Sequence, residues 1–425
     1  MNEPRSLLTG MFDAAIAAAD PNQCISAHLP AKPKGRTVVI GAGKGAAQMA
    51  AALERLWDGA LEGVVVTRYG FGEACRQIKV LEASHPVPDM NGLEASRKLL
   101  EAVSDLSTDD LVIALVCGGG SALLPAPADG LTFEDEVSLN EALLASGAPI
   151  QVMNAIRKHV SKIKGGRLAA AAFPAKVVSL IVSDIPGDDP AQVASGPTVA
   201  DWSTREQALS YIHQFKLDLP ANILNHLNSQ DAECPKPDNP KLTGSQTVVI
   251  ASNAVSLEAA ASYARSNGIE AVILSDAVEG EAREVAKVHS AIAREIVLRD
   301  RPFKRPVVIL SGGETTVTLS GNGKGGRNTE FLLSFACGIE SDPNMNGAVS
   351  IHALAADTDG IDGSEDNAGA FADLTTIERM RSKGLDPVAM LSNNDAWTAF
   401  SAIGDLFVPG PTGTNVNDFR AVLIR

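Results

Sequence analysis

Short apolar runs alternate along the chain with longer, alanine-rich stretches whose apolar positions recur at helical spacing. Apolar runs without polar alternation are typical of strands that are buried on both faces of a sheet. In the first half of the chain, such strands are predicted at 37–40, 63–66, 111–116 and 177–182. The helical pattern predicts helices near 44–57, 91–104, 134–146 and 150–172. This alternation predicts a doubly wound, parallel sheet with right-handed crossovers.

A second series of strands follows a segment rich in Pro, Asn and Asp, CPKPDNPKLTG at 234–244, which predicts a linker. Its strands are predicted near 247–251, 270–275, 306–311, 348–355 and 420–424. We therefore predict an α/β protein with two domains. Residues 1–240 form a Rossmann-like domain, and residues 241–425 form a smaller α/β domain with a mixed sheet. Because ligands bind beyond the carboxyl ends of such strands, we expect a ligand cleft between the domains.

Composition narrows the class of partner. The 425 residues exceed one typical core, and 45% hydrophobic content with only 4% aromatics suits an α/β protein rich in aliphatic residues. A formal net charge of −15 argues against nucleic acid or an anionic membrane as partner. In so acidic a chain, a local cluster of cations indicates a site for an anion.

The five cysteines are dispersed and odd in number, which suits a reducing cytoplasm. The first twenty residues have acids on both sides of their apolar positions and predict an amphipathic helix, without the basic start of a signal peptide. No apolar run approaches the roughly 18 residues of a membrane span. We expect a soluble, cytoplasmic protein.

The most informative stretch is 308–330, VILSGGETTVTLSGNGKGGRNTE, in which a strand leads into two glycine-rich turns. The first turn contains Gly312, Gly313, Glu314 and Thr315, and the second carries Lys324 and Arg327. Backbone amides, hydroxyls, a carboxylate and cations so close together suit a polyanionic ligand and its metal. An exposed connecting turn is the alternative.

The first strand ends in GAGKGA at 41–46, where Gly41, Gly43 and Ala46 match the G-x-G-x-x-A dinucleotide fingerprint. Two details weaken that interpretation. The second strand ends at Arg68, with no acid for a ribose, and Lys44 occupies the turn itself. The charge of Lys44 suits a transferring phosphoryl group better than a passing pyrophosphate.

Three glycines and a hydroxyl follow the strand at 111–116: Gly118, Gly119, Gly120 and Ser121. Placed at a helix start, their amides can face an anion. A tight turn with Ser121 as the N-cap is the alternative.

Three carboxylates, Asp184, Asp188 and Asp189, follow the strand at 177–182. Crowded acids repel one another unless a cation lies between them, and Mg²⁺ prefers one or two carboxylates with phosphate oxygens and water. We therefore predict the metal site here, with a solvated turn as the alternative. Ser195, a little further along, can add a hydroxyl.

The segment 154–168 is locally basic, and helical spacing places Arg157, Ser161 and Lys164 on one face. Both contact with an anion and an ordinary exposed face fit this pattern. His85, in SHPVP at 84–88, fits either a structural or a catalytic histidine.

The acids of DTDGIDG at 357–363, Asp359 among them, are candidates for binding Mg²⁺ or a substrate hydroxyl. The flanking sequence does not fit an EF-hand calcium loop.

As an ordered set, these motifs resemble the class II glycerate kinases, which have a glycerate-kinase N-terminal region and a C-terminal domain called MOFRL. The motifs are GAGKGA at 41–46, HPVPD at 85–89, CGGGSALLPAP at 117–127, RKHVSKIKGGRLA at 157–169, VSDIPGDDP at 182–190, ASGPT at 194–198, SGGETTVT at 311–318, GKGGRNTE at 323–330, DTDGIDG at 357–363, NNDAWTAF at 393–400 and TGTNVNDF at 412–419. They span almost the whole chain. Thr329 stands where the family usually has Gln, and Asp357-Thr358-Asp359 differs slightly from the usual Asp-Gly-Thr-Asp. These departures bear on substrate preference more than on the reaction.

The resemblance implies transfer of the γ-phosphoryl group of ATP to the 2-hydroxyl of D-glycerate, with Mg²⁺ as cofactor. Lys44 and Arg327 stand where the family has its key cations. Family members linked to tartrate breakdown carry the name hydroxypyruvate reductase.

Combining the resemblance with the residues gives a hypothesis for each role. The catalytic residues are Lys44, Arg327, Asp189 and Asp359, with one of the two acids accepting the hydroxyl proton. The nucleotide-binding residues are Gly118, Gly119, Gly120, Ser121, Gly312, Gly313, Glu314 and Thr315. The glycerate-binding residues are Arg157, Lys164, Ser195 and His85. The Mg²⁺ ligands come from Asp184, Asp188 and Asp189.

Two other functions compete with the kinase. A hydroxypyruvate reductase using NAD(P)H rests on Gly41 and Gly43, and an anion-binding module without turnover is the third hypothesis. The sequence leaves open whether the protein is a monomer or a homodimer, and which domain holds adenine.

Overall fold

The computed structural model describes residues 3–340 and 349–425. Its strands are β1 Thr37–Ala42, β2 Glu62–Arg68, β3 Lys79–Ala83, β4 Leu111–Cys117, β5 Lys176–Val182, β6 Gln246–Ala251, β7 Glu270–Ser275, β8 Gly280–Glu281, β9 Val307–Gly313, β10 Thr315–Thr316, β11 Ile351–Asp357, β12 Gly369–Asp373, β13 Leu406–Phe407 and β14 Asp418–Ile424.

The α-helices are α1 Pro4–Ala18, α2 Pro21–Ser26, α3 Ala46–Leu56, α4 Met90–Ala102, α5 Gly120–Leu123, α6 Phe133–Ala145, α7 Ile150–His159, α8 Arg167–Ala171, α9 Arg205–Gln214, α10 Ala221–Leu227, α11 Asn253–Ser266, α12 Ala282–Arg299, α13 Arg327–Ile339, α14 Thr376–Ser382, α15 Pro387–Ser392 and α16 Ala396–Ile403. Short 3₁₀ turns are found at Pro186–Asp188, Val193–Ser195, Gln230–Ala232 and Pro240–Leu242. No described helix is both long and apolar enough to cross a membrane.

Contacts divide the chain into two compact units. The N-terminal unit is Pro21–Ile250, and the C-terminal unit contains Ala251–Arg425 together with the described residues up to Asp20. This division differs from the predicted 1–240 and 241–425, and the predicted linker at 234–244 lies almost at the end of the N-terminal unit. The amphipathic helix predicted at the start of the chain is α1, and it packs in the C-terminal unit. Its Phe12 ring lies 5.0 Å from that of Phe407. Residues 1 and 2 of that prediction lie outside the described residues.

The N-terminal unit contains six parallel strands in the order β3-β2-β1-β4-β5-β6. This confirms the doubly wound, parallel sheet. The predicted strands at 37–40 and 111–116 are the central pair β1 and β4, and every residue of both is buried. The strand predicted to open the second series, β6, instead completes this sheet. An apolar run indicates a strand but not the sheet to which it belongs.

The C-terminal unit has a mixed sheet in the order β13-β12-β11-β14-β9-β7, as predicted. In it β7 pairs with β9 in parallel, whereas β14 is antiparallel to both β9 and β11. The strand predicted at 348–355 begins at Ile351, and residue 348 lies outside the described part of the chain. The sequence did not predict β3 or β12.

The helix predicted at 150–172 is divided in two. The first part, α7, ends at His159, and α8 begins only at Arg167. Gly165 and Gly166, with φ of 61° and 80°, are in the left-handed region that glycine tolerates best. Ser161 and Lys164 therefore do not share a helical face with Arg157, contrary to the prediction.

Candidate functional site

The loops after β1 and β4 lie side by side, at the point where strand order reverses in the N-terminal sheet. The Lys44 amide donates a hydrogen bond to the Gly118 carbonyl oxygen over 2.8 Å. A Cβ atom on Gly43 would lie 2.4 Å from the Cys117 carbonyl oxygen, and one on Gly41 2.4 Å from that of Leu115. Packing between these strands therefore requires both glycines of the apparent dinucleotide fingerprint.

Lys44 and His85 converge on the glycine turn after β4. A Cβ atom on Gly119, whose φ is +82°, would lie 3.0 Å from Lys44 Cγ and 3.2 Å from His85 Nε2. Burial, together with the positive charges of Lys44 and Arg68, lowers the pKa of His85 to about 4. His85 is therefore a neutral imidazole at pH 7, able to donate or accept a hydrogen bond.

Asp184 approaches the same turn from the end of β5. A Cβ atom on Gly118 would lie 1.7 Å from Asp184 Oδ2, so the carboxylate rests directly against this glycine. Both Asp184 and Lys44 act electrostatically on the buried Cys117 thiol, whose pKa burial raises to about 12. We call Lys44, His85, Gly118, Gly119 and Asp184 the Lys44 group.

Asp184, Asp188 and Asp189 do not form a cluster of three mutually close metal ligands. Asp189 is exposed, and its Oδ1 accepts a hydrogen bond from the Ala191 amide at 3.0 Å. Within the described residues, one set of three or more His, Cys, Asp or Glu side chains has ligand atoms within 4.8 Å of one another, and it contains none of these aspartates. The three carboxylates therefore do not form one compact site, and Asp184 lies against the glycine turn.

That other set is His159, Asp201 and Cys234, all buried. Lys158 Nζ lies 3.0 Å from Asp201 Oδ1, and Arg167 Nη1 donates to Cys234 Sγ over 2.9 Å. Two cations thus already contact the would-be ligands, and they would repel a metal ion. We interpret this set as part of a structural ion-pair network.

A chain of hydrogen bonds runs away from the glycine turn through hydroxyls and amides. Ser121 Oγ lies 2.7 Å from Ser195 Oγ, which donates to Asn154 Oδ1 over 3.0 Å. The same Asn154 oxygen accepts from Arg157 Nη1 at 3.4 Å, and Arg157 Nε donates to Asn140 Oδ1 over 2.9 Å. We call these five residues the Arg157 array.

The array joins three residues that the sequence predicted, Ser121, Ser195 and Arg157. It adds Asn140 and Asn154, which sequence reasoning missed. Asn154 precedes Arg157 by three residues on α7, so helical spacing could have indicated it. Asn140 lies on α6, and nothing in the sequence connects it with Arg157.

Lys164 does not fit its predicted role in substrate binding. Its ammonium donates to Glu136 Oε1 over 2.8 Å and to the Leu124 carbonyl oxygen over 2.7 Å, and the side chain is 1% exposed. Burial lowers its pKa, and Glu136 opposes the shift. Lys164 is therefore a structural ion-pair partner, and we withdraw it from the candidate site.

The predicted anion site at a helix start after Gly118 to Gly120 also needs correction. The helix there, α5, has four residues. So short a helix aligns too few peptide dipoles for an appreciable N-terminal field. The turn remains a candidate because Lys44 and Asp184 contact it.

In the C-terminal unit, Arg327 begins α13 and is surrounded by carboxylates. Its Nε lies 2.7 Å from Asp418 Oδ1, its Nη2 lies 2.6 Å from Asp357 Oδ2, and its Nη1 lies 2.9 Å from Glu314 Oε1. Burial opposes the charge of Arg327, but the three carboxylates outweigh it and raise the pKa of the guanidinium. These four residues and Arg420 form what we call the Arg327 cluster.

Arg420 and Asp418 are further residues that the predicted site lacked. Arg420 is fully buried, donates to Asp418 Oδ2, and donates to Thr315 Oγ1 over 2.9 Å. Its guanidinium lies 5.1 Å from the centre of the Phe331 ring. The sequence did contain an indication: two opposite charges alternate in the otherwise apolar strand β14, which places them on one face.

The acids of the 357–363 loop have different surroundings. Burial raises the pKa of Asp357 to about 8, with Asp359 and Asp418 adding to the shift and Arg327 opposing it. Burial also raises the pKa of Asp362 to about 6, although this side chain accepts hydrogen bonds from the Asn328 and Thr329 amides and so caps α13. Asp359 is half-buried and accepts a hydrogen bond from the Ile361 amide at 2.8 Å.

Packing explains much of the first glycine-rich turn of this unit. A Cβ atom on Gly312 would lie 1.7 Å from Asn253 Oδ1, and one on Gly313 2.2 Å from the Val278 nitrogen. The Thr315 amide donates to Asp418 Oδ2 at 3.3 Å, and Glu314 is paired with Arg327. The Thr315 amide is therefore already hydrogen-bonded, and close packing accounts for the choice of glycine at positions 312 and 313.

Comparison with protein families, related sequences and solved structures gives matches along most of the chain. Residues 7–228 match a family model described as a domain of unknown function (DUF4147), and residues 307–418 match the MOFRL family. The chain is 51% identical to a protein of Agrobacterium vitis named "Putative hydroxypyruvate reductase", over 99% of this chain and 94% of that one. It is 38% identical to the D-glycerate 2-kinase of Thermotoga maritima, over 99% and 98% of the two chains. A crystal structure of glycerate kinase from Thermotoga maritima matches with a TM-score of 0.89 and 36% identity, covering 99% of each chain.

Proposed function

Because this chain belongs to the class II glycerate kinase family and is a kinase enzyme, we propose that it phosphorylates D-glycerate at the 2-hydroxyl, using ATP and Mg²⁺. The observation that carries this proposal is the Lys44 group, where a cation, a neutral imidazole and a carboxylate contact one glycine turn. A turn of this composition at the order reversal of a parallel sheet suits a phosphoryl group and its metal.

Lys44 neutralises charge on the transferred phosphoryl group. Catalysis of phosphoryl transfer is mostly positioning and electrostatic stabilisation, so a cation fixed beside the phosphate contributes directly. The backbone of Lys44 is anchored on both sides: its amide donates to Gly118, and its carbonyl oxygen accepts from Thr67 Oγ1 at 2.9 Å. No carboxylate of the described residues lies within 4.0 Å of its ammonium, so the charge is available to a phosphate.

Asp184 would hold Mg²⁺. A single carboxylate beside a phosphate-binding turn fits this ion, which takes one or two carboxylates and fills its other positions with phosphate oxygens and water. A Mg²⁺ ion held by Asp184 would supply positive charge to the phosphates of ATP. The exposed Asp189 and the half-buried Asp359 stay the two candidates for accepting the hydroxyl proton.

Arg157 and Ser195 hold glycerate, with Arg157 contacting the carboxylate. His85 is neutral at pH 7 and reaches the same glycine turn as Lys44, so it can hydrogen-bond a glycerate hydroxyl. Ser195 is hydrogen-bonded to Ser121 at the end of that turn. The residues that bind glycerate are therefore connected to the turn that binds the phosphoryl group.

Arg327 contributes to the same reaction once a phosphate oxygen has replaced Glu314, one of its three carboxylate partners. Asp418 and Asp357, whose side chains are 0% and 8% exposed, orient the guanidinium, whereas Glu314 is 54% exposed. An exposed ion pair contributes little stability, so a phosphate oxygen can replace Glu314 on Nη1 at small cost.

A nicotinamide-dependent hydroxypyruvate reductase is the competing function, in keeping with the name of the Agrobacterium vitis relative. Two observations weigh against it. Strand packing accounts for Gly41 and Gly43, and β2 ends at Arg68, without an acid for the ribose hydroxyls of NAD.

A pair of initial-rate assays on the purified protein tests the proposal. We expect ADP formation from Mg-ATP that depends on D-glycerate, and no NADH or NADPH oxidation with hydroxypyruvate. Nicotinamide oxidation without ADP formation would establish the reductase instead.

A further inference from the structure

Arg157 is a half-buried cation whose hydrogen-bond partners are all neutral. Its Nε donates to Asn140 Oδ1 and its Nη1 donates to Asn154 Oδ1. Among the described residues, no carboxylate oxygen lies within 4.0 Å of the guanidinium, and none accepts a hydrogen bond from Nη2. The edge formed by Nη1 and Nη2 therefore keeps donors for a ligand.

Glu136, the acid that acts electrostatically on Arg157, already contacts other groups. One of its oxygens lies 2.8 Å from Lys164 Nζ, and the other accepts a hydrogen bond from the Ala126 amide at 2.8 Å. The charge of Glu136 is thus offset by Lys164, and Arg157 keeps a net positive charge that burial makes costly. A protein with a net charge of −15 has many acids that could have neutralised it.

Asn154 and Asn140 orient the guanidinium without cancelling its charge. Asn154 is itself fixed, because its Nδ2 donates to the Gln192 carbonyl oxygen over 3.1 Å and to Gln192 Oε1 over 3.3 Å. Its Oδ1 accepts one hydrogen bond from Ser195 and another from Arg157. An aspartate in the place of either asparagine would keep the acceptor oxygen and add the missing negative charge.

We propose that Asn140 and Asn154 are specificity-determining positioning residues, which keep Arg157 uncompensated so that it binds the carboxylate of the acceptor substrate. The free edge of a guanidinium accepts a carboxylate through two parallel hydrogen bonds. The enzyme therefore selects a hydroxy acid over a neutral polyol or amide of the same size. That the acceptor is glycerate rests on the proposed function.

The test is Asn140→Asp, a change with almost no difference in shape. The side-chain oxygen of Asn140 accepts from Arg157, so the hydrogen bond survives while the guanidinium is neutralised. Isothermal titration calorimetry with D-glycerate, without nucleotide, should show affinity at least tenfold weaker than in the wild type. Asn239→Asp is the matched control: it adds the same charge at a partly exposed residue whose Oδ1 accepts from the Lys241 amide, and it should leave affinity unchanged.

Steady-state kinetics give a second readout that a purely structural role would not produce. In Asn140→Asp, the KM for D-glycerate should rise at least tenfold, while kcat and the KM for ATP stay within about threefold. The preference for D-glycerate over its uncharged amide, glyceramide, should fall by a similar factor.

Unchanged D-glycerate affinity in a folded Asn140→Asp variant overturns the inference, and so does absence of D-glycerate binding by the wild type. If the wild type binds D-glycerate with this dependence on Asn140 but forms no ADP, the proposed function fails and the inference stands. Should Asn140→Asp not fold, as judged by circular dichroism, Arg157→Gln replaces it. That variant must lose at least tenfold in affinity for D-glycerate, and equal affinity rejects the inference.

Discussion

The two guanidinium groups at Arg157 and Arg327 are both partly buried, yet their surroundings are opposite. Arg327 contacts three carboxylates within 2.9 Å, whereas Arg157 is held by two amides. Lys44 resembles Arg157, since no carboxylate of the described residues is within 4.0 Å of its ammonium. The charge of the neighbouring groups therefore determines whether a cation can bind an anionic ligand. Arg327 is oriented and mostly neutralised, while Lys44 and Arg157 remain available to anions.

Lys44→Met should have the largest effect on activity. Removing an uncompensated cation from the phosphoryl group should lower kcat/KM by roughly 10²–10³-fold, or about 3–4 kcal/mol, the range seen when one preorganised electrostatic contact is deleted. Initial rates with D-glycerate measure this, and thermal unfolding should match the wild type. Lys79→Met, at an exposed position of the same unit, is the control. An equal loss of kcat/KM in Lys44→Met and Lys79→Met would contradict a specific role for Lys44 in the reaction.

Arg327→Gln and Arg157→Gln should differ in stability. The first leaves the Asp418 carboxylate buried without its contact to Arg327, and breaking such a pair costs about 3–5 kcal/mol. The second removes a buried charge without leaving a carboxylate unpaired, so we expect a loss of about 1 kcal/mol or less. Urea unfolding of both variants measures the difference. Similar losses would show that the two environments are not energetically different.

Asp357→Asn tests the charge state inside the Arg327 cluster. The folded pKa of Asp357 is raised to about 8 from an ordinary value of 3.8, so between these values the native state binds more protons than the unfolded state. This group's contribution to stability is therefore present at low pH and is lost as pH rises toward 8. The stability of the wild type relative to Asp357→Asn should fall between pH 5.5 and 7.5, by at most roughly 1.4 kcal/mol per pH unit. Urea unfolding at three pH values measures it, and a constant difference would contradict the raised pKa.

Glu314→Gln should have the smallest effect. Its ion pair with Arg327 is exposed, and such pairs contribute about 1 kcal/mol or less. If a phosphate oxygen replaces Glu314, the variant should keep or slightly lower the KM for ATP. A several-fold increase in that KM would show that Glu314 itself binds the nucleotide.

The sequence predicted the sheets better than the site. Continuous apolar runs made the central strands β1 and β4 evident, and the loops that follow them contain Lys44 and Gly118, which the structure brings together. The apolar runs could not show that β6 belongs to the first sheet, because the residues of a strand do not indicate which strands pair with it.

The sequence mainly failed to predict the ion-pair partners of the cations. Asp418 lies 91 residues from Arg327, and Glu136 lies 28 residues from Lys164. Over such separations, only the folded chain shows whether a cation is paired. That is why Lys164 and Arg157, which looked alike in the sequence, have different environments in the structure.

Phosphorus NMR of the reaction product tests the central claim most directly. Purified enzyme is incubated with Mg-ATP and D-glycerate, and the proton-coupled spectrum is recorded. Transfer to the 2-hydroxyl predicts a new phosphomonoester doublet, since the esterified carbon carries one hydrogen. A triplet would mean transfer to the 3-hydroxyl, and the absence of any new resonance would contradict glycerate phosphorylation altogether.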